Sequence, residues 1–302
     1  MNPESQPEPQ SRTTSLPVRR YVKSGKTRRV AVYEWGKADN PRVVICIHGM
    51  SRNARDFDWL ARRLSRTHRV LAFDCPGRGR SDWLADPNDY QMATYIGDVA
   101  DLLPGLGVAE ADWVGTSMGG LMGMAIAADY EPRLKGLIRR LVLNDVGPLV
   151  PGKAMDRIGT YVGHAPHFET LEAAYAYQAT VNAEWHVMTP LQRRRITRHS
   201  VRRLKDGSGF RSHYDPRIAD ALHRGSVPDL YLWHRWDVIK CPVLVVRGAE
   251  SDILRAETAA EMQRRGPRAT VIEIPGVGHT PSLMTLEQIK PIAKFLADES
   301  VS

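Results

Sequence analysis

Short apolar runs, mostly β-branched or aliphatic, recur along the chain at 29–35, 43–47, 70–73, 111–114, 141–144, 243–246 and 271–274. Runs this short, with little polar alternation, suit strands buried on both faces, as in a parallel sheet with helices on each side. Between them the period changes. Phe57, Leu60, Ala61 and Leu64, and later Ile289, Ile292, Ala293 and Leu296, repeat at i, i+3, i+4 and i+7, so each set forms the apolar stripe of a helix. Thr285 followed by Gln288 predicts a capping box at the start of the second helix. Alternating strands and helices require right-handed crossovers, and the expected fold class is α/β, a doubly wound, mostly parallel sheet.

The alternation breaks once. Over 148–236 no convincing strand is visible, while LEAAYAYQATVNAEW and TPLQRRRITRHSVRRL read as helices, the second opened by Thr189 as N-cap with Pro190 at the first helical position. The expected organisation is a disordered tail at 1–17, a first core part at 18–147, an all-helical lid at 148–236 inserted between two strands, and a second core part at 237–302. Such an insertion lies over the carboxyl ends of the strands, where ligands bind in open α/β sheets.

Composition removes several function classes. With 302 residues, 42% hydrophobic and 25% charged, the chain has the balance of a globular protein large enough to exclude water from a site. Its net charge of +8 raises nucleic acid as a partner. The arginines are spread along the chain, however, and the densest group, Arg193, Arg194, Arg195, Arg202 and Arg203, falls on a segment that reads as a solvated helix, so no nucleic-acid partner is expected. The first sixteen residues contain no apolar run that would serve as a signal peptide, and no later stretch reaches the roughly eighteen apolar residues of a membrane span. Cytoplasm is the expected compartment, with no membrane partner. Cys46 and Cys241 read as small buried hydrophobes and Cys75 lies near the expected pocket rim; none has metal-ligand spacing. No metal and no organic cofactor are expected.

The candidate chemistry centres on Gly115-Thr116-Ser117-Met118-Gly119-Gly120, which follows the run at 111–114 and precedes the apolar segment LMGMAIAADY. A G-x-S-x-G sequence between a strand and a helix puts the serine on a sharp turn, where only residues without a β-carbon allow the close approach. Ser117 then stands at a helix amino end whose backbone donors favour developing negative charge. Upstream, His48-Gly49-Met50 ends a buried strand. Acyl transfer needs two N–H groups aimed at the oxygen that becomes negative, each worth about 2.7–4 kcal/mol, and the amides of Met118 and Met50 are the expected pair. Of ten histidines, His279 follows the glycine-rich loop Pro275-Gly276-Val277-Gly278 after the last strand and is the expected base. Asp252, just beyond the run at 243–246, is the expected acid, with Asp145 and Glu250 as rivals; Asp145 reads as a loop cap or a partner for a backbone N–H.

These residues, together with Phe73-Asp74-Cys75-Pro76-Gly77-Arg78-Gly79-Arg80-Ser81, which is similar to the family's D-x-x-G-x-G-x-S loop, make the chain from about residue 18 to 298 resemble the α/β-hydrolase superfamily. The resemblance is to its lidded single-domain members, and the order Ser117, acid, His279 matches that family's topology. Epoxide hydrolases and haloalkane dehalogenases of this architecture need an aspartate where Ser117 stands. Carbon–carbon bond hydrolases usually carry a glycine-rich oxyanion loop and an Asn before the serine, where this chain has Met50-Ser51 and Thr116. The GGG-type loop of hormone-sensitive-lipase relatives is absent. The expected function is a serine hydrolase that cleaves an ester, lactone or thioester of a small to medium carboxylic acid through an acyl-enzyme on Ser117. A carbon–carbon bond hydrolase of a diketone-type substrate, or a hydrolase-fold ligand receptor with slow turnover, are the alternatives. Ser51, Tyr175, Trp185 and His186 are the expected substrate-binding residues, with Tyr161, Tyr177 and Trp233 as further lid aromatics.

Overall fold

The computed structural model describes residues 18–23, 28–164, 166–182, 184–223 and 226–297; the tail expected at 1–17 lies outside them. In chain order the first strands and helices are β1 (Val18–Lys23), β2 (Arg29–Trp35), β3 (Val43–Ile47), α1 (Asp58–Leu64), β4 (Arg69–Phe73), α2 (Met92–Leu102), β5 (Ala111–Thr116), α3 (Met118–Ala127) and β6 (Ile138–Asn144). The insertion carries β7 (Leu149–Val150), α4 (Gly152–Gly159), β8 (His167–Phe168), α5 (Leu171–Val181), α6 (Pro190–Ser200), β9 (Val201–Arg203), β10 (Phe210–Ser212), β11 (Leu230–Tyr231) and α7 (Trp233–Trp236). The chain then returns to the core with β12 (Val243–Gly248), α8 (Ala256–Met262), β13 (Thr270–Ile274) and α9 (Leu286–Ala297).

The main sheet has the order β1-β2-β4-β3-β5-β6-β12-β13. From β4 to β13 every neighbouring pair is parallel, and only the β1–β2 hairpin and the β2–β4 pair are antiparallel. β1, VRRYVK, has no apolar run, as suits an edge strand, and sequence patterning does not reveal it. Successive side chains of the inner strands enter different layers, which is why these strands read as continuous apolar runs. Ile45, Ile47, Trp113, Leu141 and Leu143 pack with helices α2 and α3. Val44, Cys46, Val114 and Val142 pack on the other face with α1 and with Ile289, Ile292 and Leu296 of α9.

The insertion is not all-helical. β9 and β10 form an antiparallel hairpin that β8 extends, and β7 pairs with β11. These strands are two or three residues long, too short for a period of two to register in the sequence. The second predicted helix stops at Ser200, and its last residues become β9. Its start forms as expected, with Thr189 and Gln192 in a reciprocal capping box. At α9 only half of the expected box forms. The Gln288 amide N–H donates to Thr285 Oγ1 at 3.4 Å, but the Gln288 side-chain oxygen accepts from Leu283 N–H at 2.6 Å and its nitrogen donates to Glu184 of the insertion. Gln288 thus ties the start of α9 to the insertion. Among the described residues no helix is long and apolar enough to cross a membrane.

Candidate active site

The turn from β5 into α3 is built on absent side chains. A β-carbon on Gly119 would overlap the Ile47 carbonyl, and one on Gly115 would overlap the Gly119 carbonyl. With both missing, the helix start sits against β3 and β5, and Ser117 is held at φ 49°, ψ −112°. A serine rarely occupies positive φ, and such a residue carries about 1–3 kcal/mol of strain that the surrounding fold must hold. The strained turn presents Ser117 Oγ to a cavity of about 150 Å³ between core and insertion.

His279 Nε2 lies 3.1 Å from Ser117 Oγ, and its Nδ1 lies 2.7 Å from Asp145 Oδ2. The assignment of Asp252 is therefore corrected: the carboxylate on the imidazole is that of Asp145. β6 ends at Asn144, and Asp145, at φ 59°, turns its fully buried side chain toward β12, where Oδ1 accepts the Gly248 N–H at 2.9 Å. The backbone N–H partner expected of Asp145 exists, and the other carboxylate oxygen remains for His279. Asp252 lies four residues past the end of β12, half-exposed, with both oxygens on Arg157 of α4 at 2.6 and 2.8 Å. Glu250 is exposed and only its backbone N–H is placed, on the Val277 carbonyl. Asn144 completes the frame by donating to Thr116 Oγ1 and to the Pro281 carbonyl just beyond His279.

The loop opposite Ser117 is oriented by its carbonyls. Cys75 N–H donates to His48 Nε2, so His48 carries its proton on Nδ1 and donates it to the Gly49 carbonyl at 2.7 Å. The Met50 carbonyl accepts from Arg78 Nε at 2.7 Å. The Ser51 carbonyl accepts from His213 Nε2 at 3.1 Å, because His213 Nδ1 is occupied by the Gly79 N–H. Three consecutive carbonyls are thus pinned by donors. Met118 is the first residue of α3, where a backbone N–H has no partner within the helix. Burial holds His48 at a pKa of about 3 and His213 well below the ordinary imidazole range, so both stay neutral and keep these tautomers. Arg78 is buried, also donates to the Tyr95 hydroxyl, and stacks over the Tyr95 ring. Neither Arg78 nor His213 was singled out in the sequence; the first sits in a loop motif that reads as structural and the second in the insertion, more than 160 residues from its partner Ser51.

The insertion contributes a different set of side chains from those expected. Ser51 lines the cavity, as do Tyr161, Tyr177 and Tyr214. Tyr175, Trp185 and His186 do not. Tyr175 and Trp185 stack edge-on at 4.8 Å between ring centres, Trp185 packs behind Met188, Ile196 and Met284, and His186 offers its carbonyl to Arg193. On α5, Tyr177 and Val181 are on the cavity side and Tyr175 is turned away, a choice of face that depends on where α6 packs. Trp233 packs on the core with Arg265 over its ring. Cys75 is buried and its thiol is pushed up to about 12 by that burial, so it behaves as packing and not as a nucleophile.

Residues 44–294 match the model of the alpha/beta hydrolase family. The chain is 42% identical over 275 residues to a 3-hydroxybutyrate-oligomer hydrolase of Cupriavidus necator, covering 88% of this chain and 92% of that protein. It is 30% identical to a 2-(acetamidomethylene)succinate hydrolase of Mesorhizobium japonicum, over 84% of this chain and 87% of that one. Among solved structures, an alpha/beta hydrolase from Novosphingobium aromaticivorans superimposes with a TM-score of 0.83 at 35% identity, over 94% of this chain and 99% of that one. A strained serine at a strand-to-helix turn on a mostly parallel sheet, matched along nearly the whole chain, leads to one conclusion: this protein belongs to the alpha/beta hydrolase family and is a hydrolase.

Proposed function

We propose that the protein cleaves carboxylic esters through an acyl-enzyme on Ser117, with His279 as base and Asp145 as the acid that orients it. The observation that carries this reading is the continuous line from Ser117 Oγ through both nitrogens of His279 to Asp145, with 3.1 Å and 2.7 Å separations, at the wall of the cavity. Ser117 Oγ adds to the ester carbonyl as His279 Nε2 takes its proton. The carbonyl oxygen becomes an oxyanion that the Met118 and Met50 amides receive. When the carbon–oxygen bond breaks, His279 returns the proton to the leaving alcohol. Water then gives a proton to His279 and attacks the acyl group, and release of the acid restores Ser117 O–H. Asp145 keeps the Nδ1 proton in place and stabilises the imidazolium.

For the substrate class we infer a short oligoester of a hydroxy acid. The likeness to a 3-hydroxybutyrate-oligomer hydrolase at 42% identity supports it, and so does a cavity whose lid wall mixes apolar Ile158 and Val162 with the phenols of Tyr161 and Tyr177. The test is covalent labelling by a fluorophosphonate, read by intact mass, beside turnover of 3-hydroxybutyrate dimers and trimers. One adduct per chain, lost in Ser117→Ala together with turnover, is the expected result. Labelling that persists in that variant would remove the nucleophile assignment.

A further inference from the structure

We propose that Arg52 and Ser200 form a second acceptor-binding subsite in the catalytic cavity, which holds the carbonyl oxygen of a neighbouring ester group on the acyl side of the scissile bond. This deepens the oligoester reading and rests on it.

Arg52 follows the oxyanion loop by two residues. A β-carbon placed on Gly49 would lie 3.7 Å from Ser117 Cβ and 3.8 Å from Arg52 Cγ, so the arginine stem starts beside the nucleophile. Its Nε and one terminal nitrogen are bound to Asp56 at 2.7 and 2.8 Å. The other terminal nitrogen makes only a long contact of 3.4 Å to Ser200 Oγ at the carboxyl end of α6. A guanidinium has five N–H donors, so two of its hydrogens are well used and the outer nitrogen is not. Ser200 Oγ accepts in that contact, and among the described residues its own proton finds no side-chain or backbone acceptor. Arg52, Asp56 and Ser200 all line the cavity with Ser117. Two underused donors, one from the core and one from the lid, therefore face the same space.

Charge decides what they take. Asp56 already neutralises Arg52, and the other acid of the cavity wall, Glu184, adds negative charge with no further cation among the lining arginines and lysines. A free carboxylate entering here would meet Asp56 as well as Arg52 and would have to give up its hydration. A neutral carbonyl needs only a donor, and gains from a charge-assisted one. The side is set by the proton path. The leaving oxygen must face His279 Nε2, whereas Arg52 extends from the loop that carries Met50, so the acyl portion is the part that passes it. An acyl chain with a second ester three atoms along would place that carbonyl in the donors' space, and a plain alkanoate would leave them unpaired.

The experiment compares two p-nitrophenyl esters with acyl chains of equal length, the 3-acetoxybutyrate and the hexanoate, in the full chain and in Ser200→Ala, Arg52→Lys and Arg52→Met. Wild type should prefer the acetoxy ester. Arg52→Met should lower kcat/KM for it by about ten- to a hundredfold more than for the hexanoate, and Ser200→Ala by about three- to tenfold more, mainly through KM; Arg52→Lys should recover part of the loss. A parallel loss on both esters would show that Arg52 only braces its loop through Asp56 and would overturn the subsite. Fluorophosphonate labelling of each variant separates the two readings: absence of labelling in wild type defeats the serine mechanism, whereas intact labelling with unchanged ester preference defeats only the subsite.

Discussion

At the scale of single residues, the instructive pair is Asp145 and Asp252. Both follow strands whose carboxyl ends face the cavity, and β6 and β12 are neighbours in the sheet, so a histidine loop above that edge lies near both. Only Asp145 is buried with one oxygen fixed by Gly248 N–H and the other free for His279. Asp145→Asn should therefore lower kcat by about 10⁴, because an amide cannot hold the Nδ1–H tautomer, while the chain still folds. Asp252→Asn breaks a half-exposed ion pair with Arg157 and should change kcat by less than tenfold and stability by at most about 1 kcal/mol. Steady-state rates on one activated ester decide between them. If the Asp252 variant were the crippled one, the side-chain placement around His279 would be wrong.

At the scale of elements, the helices of the insertion divide into a face that lines the cavity and a face that packs. Tyr177 of α5 lies on the first, with its ring 5.4 Å from that of Phe168; Tyr175 and Trp185 lie on the second. Tyr177→Ala should enlarge the acyl space and shift the relative kcat/KM of short and long esters by about ten- to two-hundredfold, the scale of one or two methylenes in an apolar pocket. Trp185→Ala should instead lower thermal stability by about 1–3 kcal/mol, through lost packing on Met188 and Ile196, with a smaller change of profile. Measuring chain-length profiles and melting temperatures for both variants tests this division, and a profile altered more by Trp185→Ala would reverse it.

Among the described residues of the whole molecule, four histidines are shifted by folding toward the neutral form. Burial lowers His48 to about 3 and His199 to about 4, with the Arg55 charge assisting at His199, and it holds His213 well below the ordinary imidazole range and His68 below it. In the unfolded chain each takes up a proton near pH 6.5. Below that pH the unfolded state binds more protons than the native one, so stability present at neutral pH is lost as pH falls toward the folded values. Asp74 acts in the opposite sense. Burial raises it to about 6, so the native state binds its proton first and gains as pH falls from 6 toward 4. Four imidazoles against one carboxyl leave a net loss of stability as pH falls toward 5. Urea unfolding at pH 7.5, 6 and 5 should show the midpoint falling steadily, and His213→Gln should flatten the fall. A midpoint that stays constant from 7.5 to 5 would contradict the buried neutral imidazoles.

The fold was legible because burial on both faces writes strands as unbroken apolar runs and helices as stripes of period 3.6, patterns that are local in sequence. The elbow was legible for the same reason: the glycines that permit the turn and the serine it presents are adjacent in the chain, and the loop that carries His279 announces itself by its own glycines. Chain order favoured Asp252 over Asp145 and Glu250 as the carboxylate on His279, whereas Asp145 is the one in contact with it. The contact of Asp145 with His279, the inward faces of α4 and α5, the short strands of the insertion, and the pinning of the carbonyls of Gly49, Met50 and Ser51 belong to the tertiary structure. They depend on which strand lies beside which and on how the insertion folds back over the sheet, and the contacts that place His48, Arg78, His213 and Asp145 join residues 27 to 162 positions apart. Periodicity reports whether a side chain is buried; only the packed molecule determines which partner it meets there.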